Sequence, residues 1–106
     1  MKQWDVYTWR FPHGEHPAVI ITPDAWLHLD ALNVLACTTK EVRRPPALHE
    51  VMLDEEDGLD WPTLCRCHRV FIAPKNELVQ RRGAVKLERR RQIGQKLIRI
   101  FGLYLG

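Results

Sequence analysis

The sequence predicts a mainly β domain of five or six short strands with one helix at its C-terminal end. Three observations predict it. Two apolar runs, His16-Pro17-Ala18-Val19-Ile20-Ile21-Thr22-Pro23 and Leu32-Asn33-Val34-Leu35-Ala36-Cys37-Thr38-Thr39, are bounded by turn residues. They are too short for ordinary helices and read as strands buried on both faces. Thr63 to Ile72 reads as a third, longer strand. Only Lys86 to Leu105 has a convincing helical period, with Ile93, Leu97, Phe101 and Tyr104 in one apolar stripe that Ile100 widens.

The remaining elements follow in order. Asp5 to Trp9 is rich in β-formers and reads as the first strand. Phe11 to Glu15 holds Pro12 and Gly14 and reads as a short loop. The two apolar runs are joined through Pro23-Asp24, a turn or helix start. If the runs pair as antiparallel neighbours, His16 at the head of one and Thr38 and Thr39 at the tail of the other share one edge of the sheet. Arg43-Arg44-Pro45-Pro46 is a stiff basic loop, and Leu48 to Leu53 a further strand. Asp54 to Asp60 reads as a solvated acidic turn eased by Gly58. Its carboxylates are consecutive rather than spaced to converge on a metal.

In the long strand, regular alternation places Leu64, Arg66, His68 and Val70 on one face and Cys65, Cys67, Arg69 and Phe71 on the other. A face that carries Arg66 beside His68 stays wet there. Pro74 to Leu78 reads as a helical turn and Gly83-Ala84-Val85 as a last short strand. Gly94 is a weak point in the helix.

A chain of 106 residues suits a single domain, residues 1–106, with a core that needs no staples. No apolar run is long enough for a membrane helix, and the first residues lack a signal peptide, so the expected address is the cytoplasm. Three cysteines, Cys37, Cys65 and Cys67, argue against a disulfide framework and read as small buried side chains. Residues 1–73 hold seven Lys or Arg against eleven Asp or Glu, while residues 74–106 hold nine against two. The basic C-terminal part fits either a polyanionic or acidic partner or a solvated helix.

Taken in order, Asp5-Val6-Tyr7, Pro17 to Ile21, Ala36 to Thr39, Gly58-Leu59, Arg66-Cys67-His68 and Arg81-Arg82-Gly83 before the helix resemble the PemK/MazF toxins of bacterial toxin–antitoxin pairs. That resemblance implies a small SH3-like β-barrel of five to seven antiparallel strands with a C-terminal helix, usually a homodimer. It implies cleavage of single-stranded RNA, no cofactor, no metal and no membrane. It also implies a small antitoxin protein that covers the RNA groove.

Metal-free RNA cleavage through the ribose 2′-hydroxyl needs a base, an acid and donors for the phosphorane charge. Thr38 matches the family's hydroxyl after the second run. His16 stands where the family has Arg, and His68 where some members have an acidic residue beside Arg66. The resulting expectation is that His16 and His68 act as an acid–base pair, with Arg66 and Thr38 stabilising charge. Thr39, Arg43 and Arg44, with His13 and Glu15 of the first loop, are the expected RNA contacts, although a basic turn at Arg43-Arg44 needs no ligand. Trp4, Trp9, Trp26 and Trp61 are read as core. Two other outcomes stand beside the nuclease. One is a weak or inactive SH3-like module that binds RNA or protein. The other is a toxin with a non-RNA target such as a topoisomerase.

Overall fold

The computed structural model describes residues 1–106. Six strands and one helix follow along the chain: β1 (Asp5–Phe11), β2 (Gly14–Ile20), β3 (Ala31–Cys37), β4 (Glu50–Leu53), β5 (Thr63–Pro74), β6 (Leu78–Ala84) and α1 (Leu87–Ile100). They form a single curled sheet in the order β4-β5-β3-β2-β1-β6, with every neighbouring pair antiparallel. The two edge strands, β4 and β6, do not pair with each other, so the sheet is an open half-barrel. The mainly β class and the terminal helix are as the sequence predicts. No helix is long and apolar enough to cross a membrane.

Several boundaries move. The expected loop at residues 11–15 is a tight hairpin in which Phe11 faces Gly14 across Pro12-His13. Gly14 takes a φ of 150°, a backbone that favours glycine. Glu15 and His16 therefore lie inside β2, with His16 opposite Trp9. Thr38 and Thr39 lie just past the end of β3. β6 begins at Leu78 rather than Gly83, because its exposed Val79, Gln80 and Arg81 carry no apolar alternation. The helix ends at Ile100, so Phe101 and Tyr104 leave the apolar stripe and are exposed.

The two faces of the sheet carry two cores. Val6, Val19, Leu35, Val51 and Leu53 pack beneath α1 with Ile93, and partly buried Leu97 adds to them. Cys37, Cys65 and Cys67 belong to this core as free thiols, in the small buried role expected of them. Trp9, Ala18, Ile20, Leu32, Val34 and Ala73 form the second core on the opposite face.

The acidic turn corrects the sequence reading most clearly. Residues Glu55–Asp57 form a 3₁₀ turn, and Asp57 is fully buried rather than solvated. One Asp57 oxygen accepts the Lys86 N–H at 2.9 Å, which ties it to the start of α1. The other accepts the Asp54 N–H at 3.0 Å and pairs with Arg89 of α1. Arg89 also reaches both Asp54 oxygens, at 2.8 and 3.0 Å. Gly58, at a φ of 94°, brings the turn against β6 at Gly83. A Cβ on Gly83 would lie 2.8 Å from the Asp57 carbonyl oxygen, so two backbones meet here with no room for a side chain. The helix is therefore held to the sheet by a buried carboxylate as well as by Ile93. Removing one partner of a buried pair costs about 3–5 kcal/mol. We expect Asp57→Ala to lower the urea midpoint by a corresponding amount with little change in slope. An unchanged midpoint would contradict this clamp.

Candidate active site

The site is set by a break in the β3–β5 register. Leu35 faces Val70, but two residues later Cys37 faces Cys65. While β3 advances from 35 to 37, β5 covers 65 to 70, an excess of three residues. An odd excess reverses the alternation of faces. Arg66, counted from Cys65, thus shares a face with Arg69 and Phe71, counted from Val70. Regular alternation had placed them on opposite faces. The β4–β5 pairing stays regular up to Cys67, whose N–H donates to the His49 carbonyl at 2.9 Å.

A cleft of about 400 Å³ opens on that face at the end of the sheet. His16, Thr38, Thr39, Arg44, Arg66, Arg69 and Phe71 line it. Five residues expected in the site therefore meet: His16, Thr38, Thr39, Arg44 and Arg66. The antiparallel β2–β3 pairing brings His16 to Thr38, as the sequence suggested.

Thr38 is held by its neighbours. Its N–H donates to the Leu64 carbonyl at 3.0 Å, and its Oγ1 accepts the Leu64 N–H at 3.0 Å. Thr63 donates its own hydroxyl to the Thr38 carbonyl at 3.0 Å. The Thr38 proton is therefore spared for a long 3.3 Å contact with Thr63 Oγ1 or for an incoming oxygen.

His16 is half-buried beside aromatic rings, with centroids 5.0 Å from Phe11 and 6.3 Å from Trp9. Its buried Nδ1 has no hydrogen-bond partner. Burial, and then the Arg66 charge, push its pKa below the ordinary value of 6.5. The imidazole is thus neutral at neutral pH and cannot supply a standing positive charge. Arg66 and Arg69 can, since neither forms an ion pair. Sequence reasoning missed two cationic residues of the cleft, Arg69 and Lys40. The basic run Arg66-Cys67-His68-Arg69 was the only signal for Arg69.

Other expected residues lie elsewhere or are already engaged. His68 is exposed and lies edge-on to His49 at 4.1 Å, outside the cleft. Slight burial and the neighbouring positive groups push its pKa down as well. Arg44 is committed to Glu50 through bonds of 2.7 and 2.9 Å, and Arg43 faces Glu41 at 3.5 Å outside the cleft. His13 sits exposed in the β1–β2 turn, while Glu15 pairs with Arg10 at 3.1 Å.

The comparisons bear on family and fold. The family model described as "PemK-like, MazF-like toxin of type II toxin-antitoxin system" matches residues 2–101. The chain belongs to this family. The toxin matches no curated protein sequence. Its fold is similar to a mycobacterial endoribonuclease solved with its cognate antitoxin, at TM-score 0.83 and 20% identity, covering 100% of this chain and 99% of that one. It is also similar to the Mycobacterium tuberculosis toxin MazF-mt6, at TM-score 0.80 and 22% identity, covering 95% and 99%. A MazE–MazF structure from Deinococcus radiodurans matches at TM-score 0.77 and 14% identity, covering 98% and 97%. At such identities the structures speak for the fold, and the family match speaks for the toxin class.

The wall that carries Arg44 links the stability of the fold to the ionisation of Glu50. Arg44, together with the Ala47 N–H, holds the Glu50 carboxyl near a pKa of about 2, below its ordinary 4.5. A depressed carboxylate stabilises the fold fully above pH 4.5 and loses that contribution as pH falls toward 2. Thermal melts of wild type and Glu50→Gln across pH 2–7 should show a smaller fall for the variant at the acid end. Parallel curves would contradict this role for Glu50.

Proposed function

We propose that this toxin cuts single-stranded RNA by attack of the ribose 2′-hydroxyl on the adjacent phosphorus. One observation carries the proposal: two unpaired arginines, a spare hydroxyl proton and a neutral imidazole line one cleft. The O2′–P bond forms and the P–O5′ bond breaks, leaving a 2′,3′-cyclic phosphate and a 5′-hydroxyl. Neutral His16 takes the 2′-hydroxyl proton. Arg66, Arg69 and the Thr38 hydroxyl hold the phosphorane charge. His68, expected from the sequence as the other half of an acid–base pair with His16, faces His49 instead, so the 5′-oxygen takes its proton from solvent. The exchange of the family's Arg for His16 is offset by Arg69, which brings a second cation into the cleft.

A cleft rich in cations also favours a metal-independent route. Its nearby carboxylates, Glu41 and Glu50, are each tied to an arginine. The toxin's family and the two toxin–antitoxin structures support a small antitoxin as partner, with acidic side chains set against Arg66 and Arg69. The sheet face opposite α1 carries Trp9, Phe11 and half-exposed Phe71, which suits a second copy of the chain and hence a homodimer. Residues 1–106 act as a single domain in the cytoplasm.

Cleavage of mixed single-stranded RNA in the presence of a chelator tests the proposal. His16→Ala should lower the single-turnover rate by about 10²–10⁴. Thr38→Ala and Arg66→Ala should each cost about 10²–10³, while His68→Ala and Arg43→Ala stay close to wild type. The wild-type rate should fall on the acid side below pH 6.5, where His16 becomes protonated. Binding that weakens with salt but yields no cut RNA would favour the binding module instead.

A further inference from the structure

We propose that Trp61 forms a second subsite, a platform that stacks the nucleobase next to the scissile phosphate. The inference rests on the ribonuclease reading above and adds the part of the substrate that the cationic cleft does not hold. A second cleft of about 260 Å³ lies beside the first. That is several times the ~30 Å³ of one water molecule. His16 and Thr39 line both clefts. Thr8 and Pro17 also line the second, and they face each other on the Val6–Val19 side of the sheet. The two clefts therefore open on opposite faces and meet at the sheet end. A chain whose phosphate sits at Arg66 and Thr38 can turn over that end and place its next base against Trp61.

Trp61 suits the task better than the other three tryptophans. It is 43% exposed, lines the second cleft, and has neither a ring partner nor a hydrogen bond from its indole N–H. Trp9, by contrast, donates its N–H to Glu77 at 2.9 Å and packs on Phe11 and Phe71. Trp4 packs against the first core, and Trp26, although exposed, lines neither cleft. Position is well fixed on both sides of Trp61. Leu59 is buried and donates its N–H to the Asp54 carbonyl at 3.2 Å, and Pro62 accepts the Val42 N–H at 3.0 Å.

The charge in this cleft is also unlike that of its neighbour. Its one arginine, Arg82, is paired with Asp60 at 2.8 Å, and Glu15 is paired with Arg10 at 3.1 Å. Such a lining offers a phosphate no free cation, while its carboxylates can accept hydrogen bonds from a base edge. Stacking on an aromatic side chain is open to any base, since each has a π face.

Binding of labelled single-stranded oligonucleotides by fluorescence anisotropy tests this. The probe is a mixed-sequence RNA with 2′-O-methyl riboses, which cannot be cut by 2′-hydroxyl attack, together with an abasic strand of equal length. Trp61→Ala should weaken binding of the base-bearing strand by about five- to a hundred-fold and leave the abasic strand unchanged. Trp61→Phe should keep most of the affinity. Trp61→Leu, which preserves apolar bulk without the π face, should behave like Ala. An equal loss on both strands, or no loss on either, would overturn the platform. Wild type that shows the Trp61 effect but never cuts ordinary RNA would refute only the nuclease. Wild type that cuts RNA while Trp61→Ala binds normally would refute only the platform. Wild type that neither binds nor cuts RNA would overturn both.

Discussion

β5 has to satisfy two neighbours that meet it at different heights. Its C-terminal half pairs with β3 from Ala31 to Leu35, and its N-terminal end pairs with β4 from Glu50 to Leu53. Between them the strand runs an odd number of residues out of step with β3. The register is fixed on either side by apolar side chains that must face the core, so the misfit collects at residues 66–69. That stretch supplies the two unpaired arginines of the cleft, Arg66 and Arg69. Slipping β5 by one residue would turn Cys65 and Cys67 out of the first core and take Arg66 away from Thr38. Fold and site are thus set by the same constraint.

The acidic turn connects this constraint to the rest of the chain. Asp57 joins the turn to α1, and Gly58 and Gly83 let that turn lie directly on β6. Leu59 follows into the first core and Trp61 emerges beside the second cleft. A buried carboxylate of this kind is costly to leave unpaired, unlike the exposed Arg10–Glu15 pair, whose contribution is near zero to 1 kcal/mol. The difference separates ion pairs that shape the molecule from those that merely decorate it.

Much of this was legible in the sequence because apolar runs declare themselves. The runs around Val19 and Leu35 predict two central strands, and the spacing of Ile93 and Leu97 predicts the helix. Thr38 could be placed beside His16 because antiparallel pairing follows from strand order. The failures have physical causes. β6 is an edge strand with polar, exposed residues, so nothing in its pattern marks it. Asp57 looks like any turn carboxylate until its three donors, from residues 54, 86 and 89, are brought together by the fold. Arg69 and His68 exchanged places relative to the cleft because a register break leaves no trace in a pattern of alternation. The same break parts His68 from His16 and leaves a site with a single histidine.

In the proposed reaction that single histidine sets the division of roles. With its imidazole neutral, His16 would accept a proton rather than anchor a phosphate, and the anchoring role would fall to the two free arginines. The most direct measurement replaces one ribose at a mapped cut site with its 2′-deoxy form, in a chelator-treated reaction, and reads the end groups of the products. The account predicts that the cut at that site disappears, and that the unmodified strand yields a 2′,3′-cyclic phosphate and a 5′-hydroxyl. Cleavage that persists at the deoxy position, or products ending in a 3′-hydroxyl and a 5′-phosphate, would contradict it.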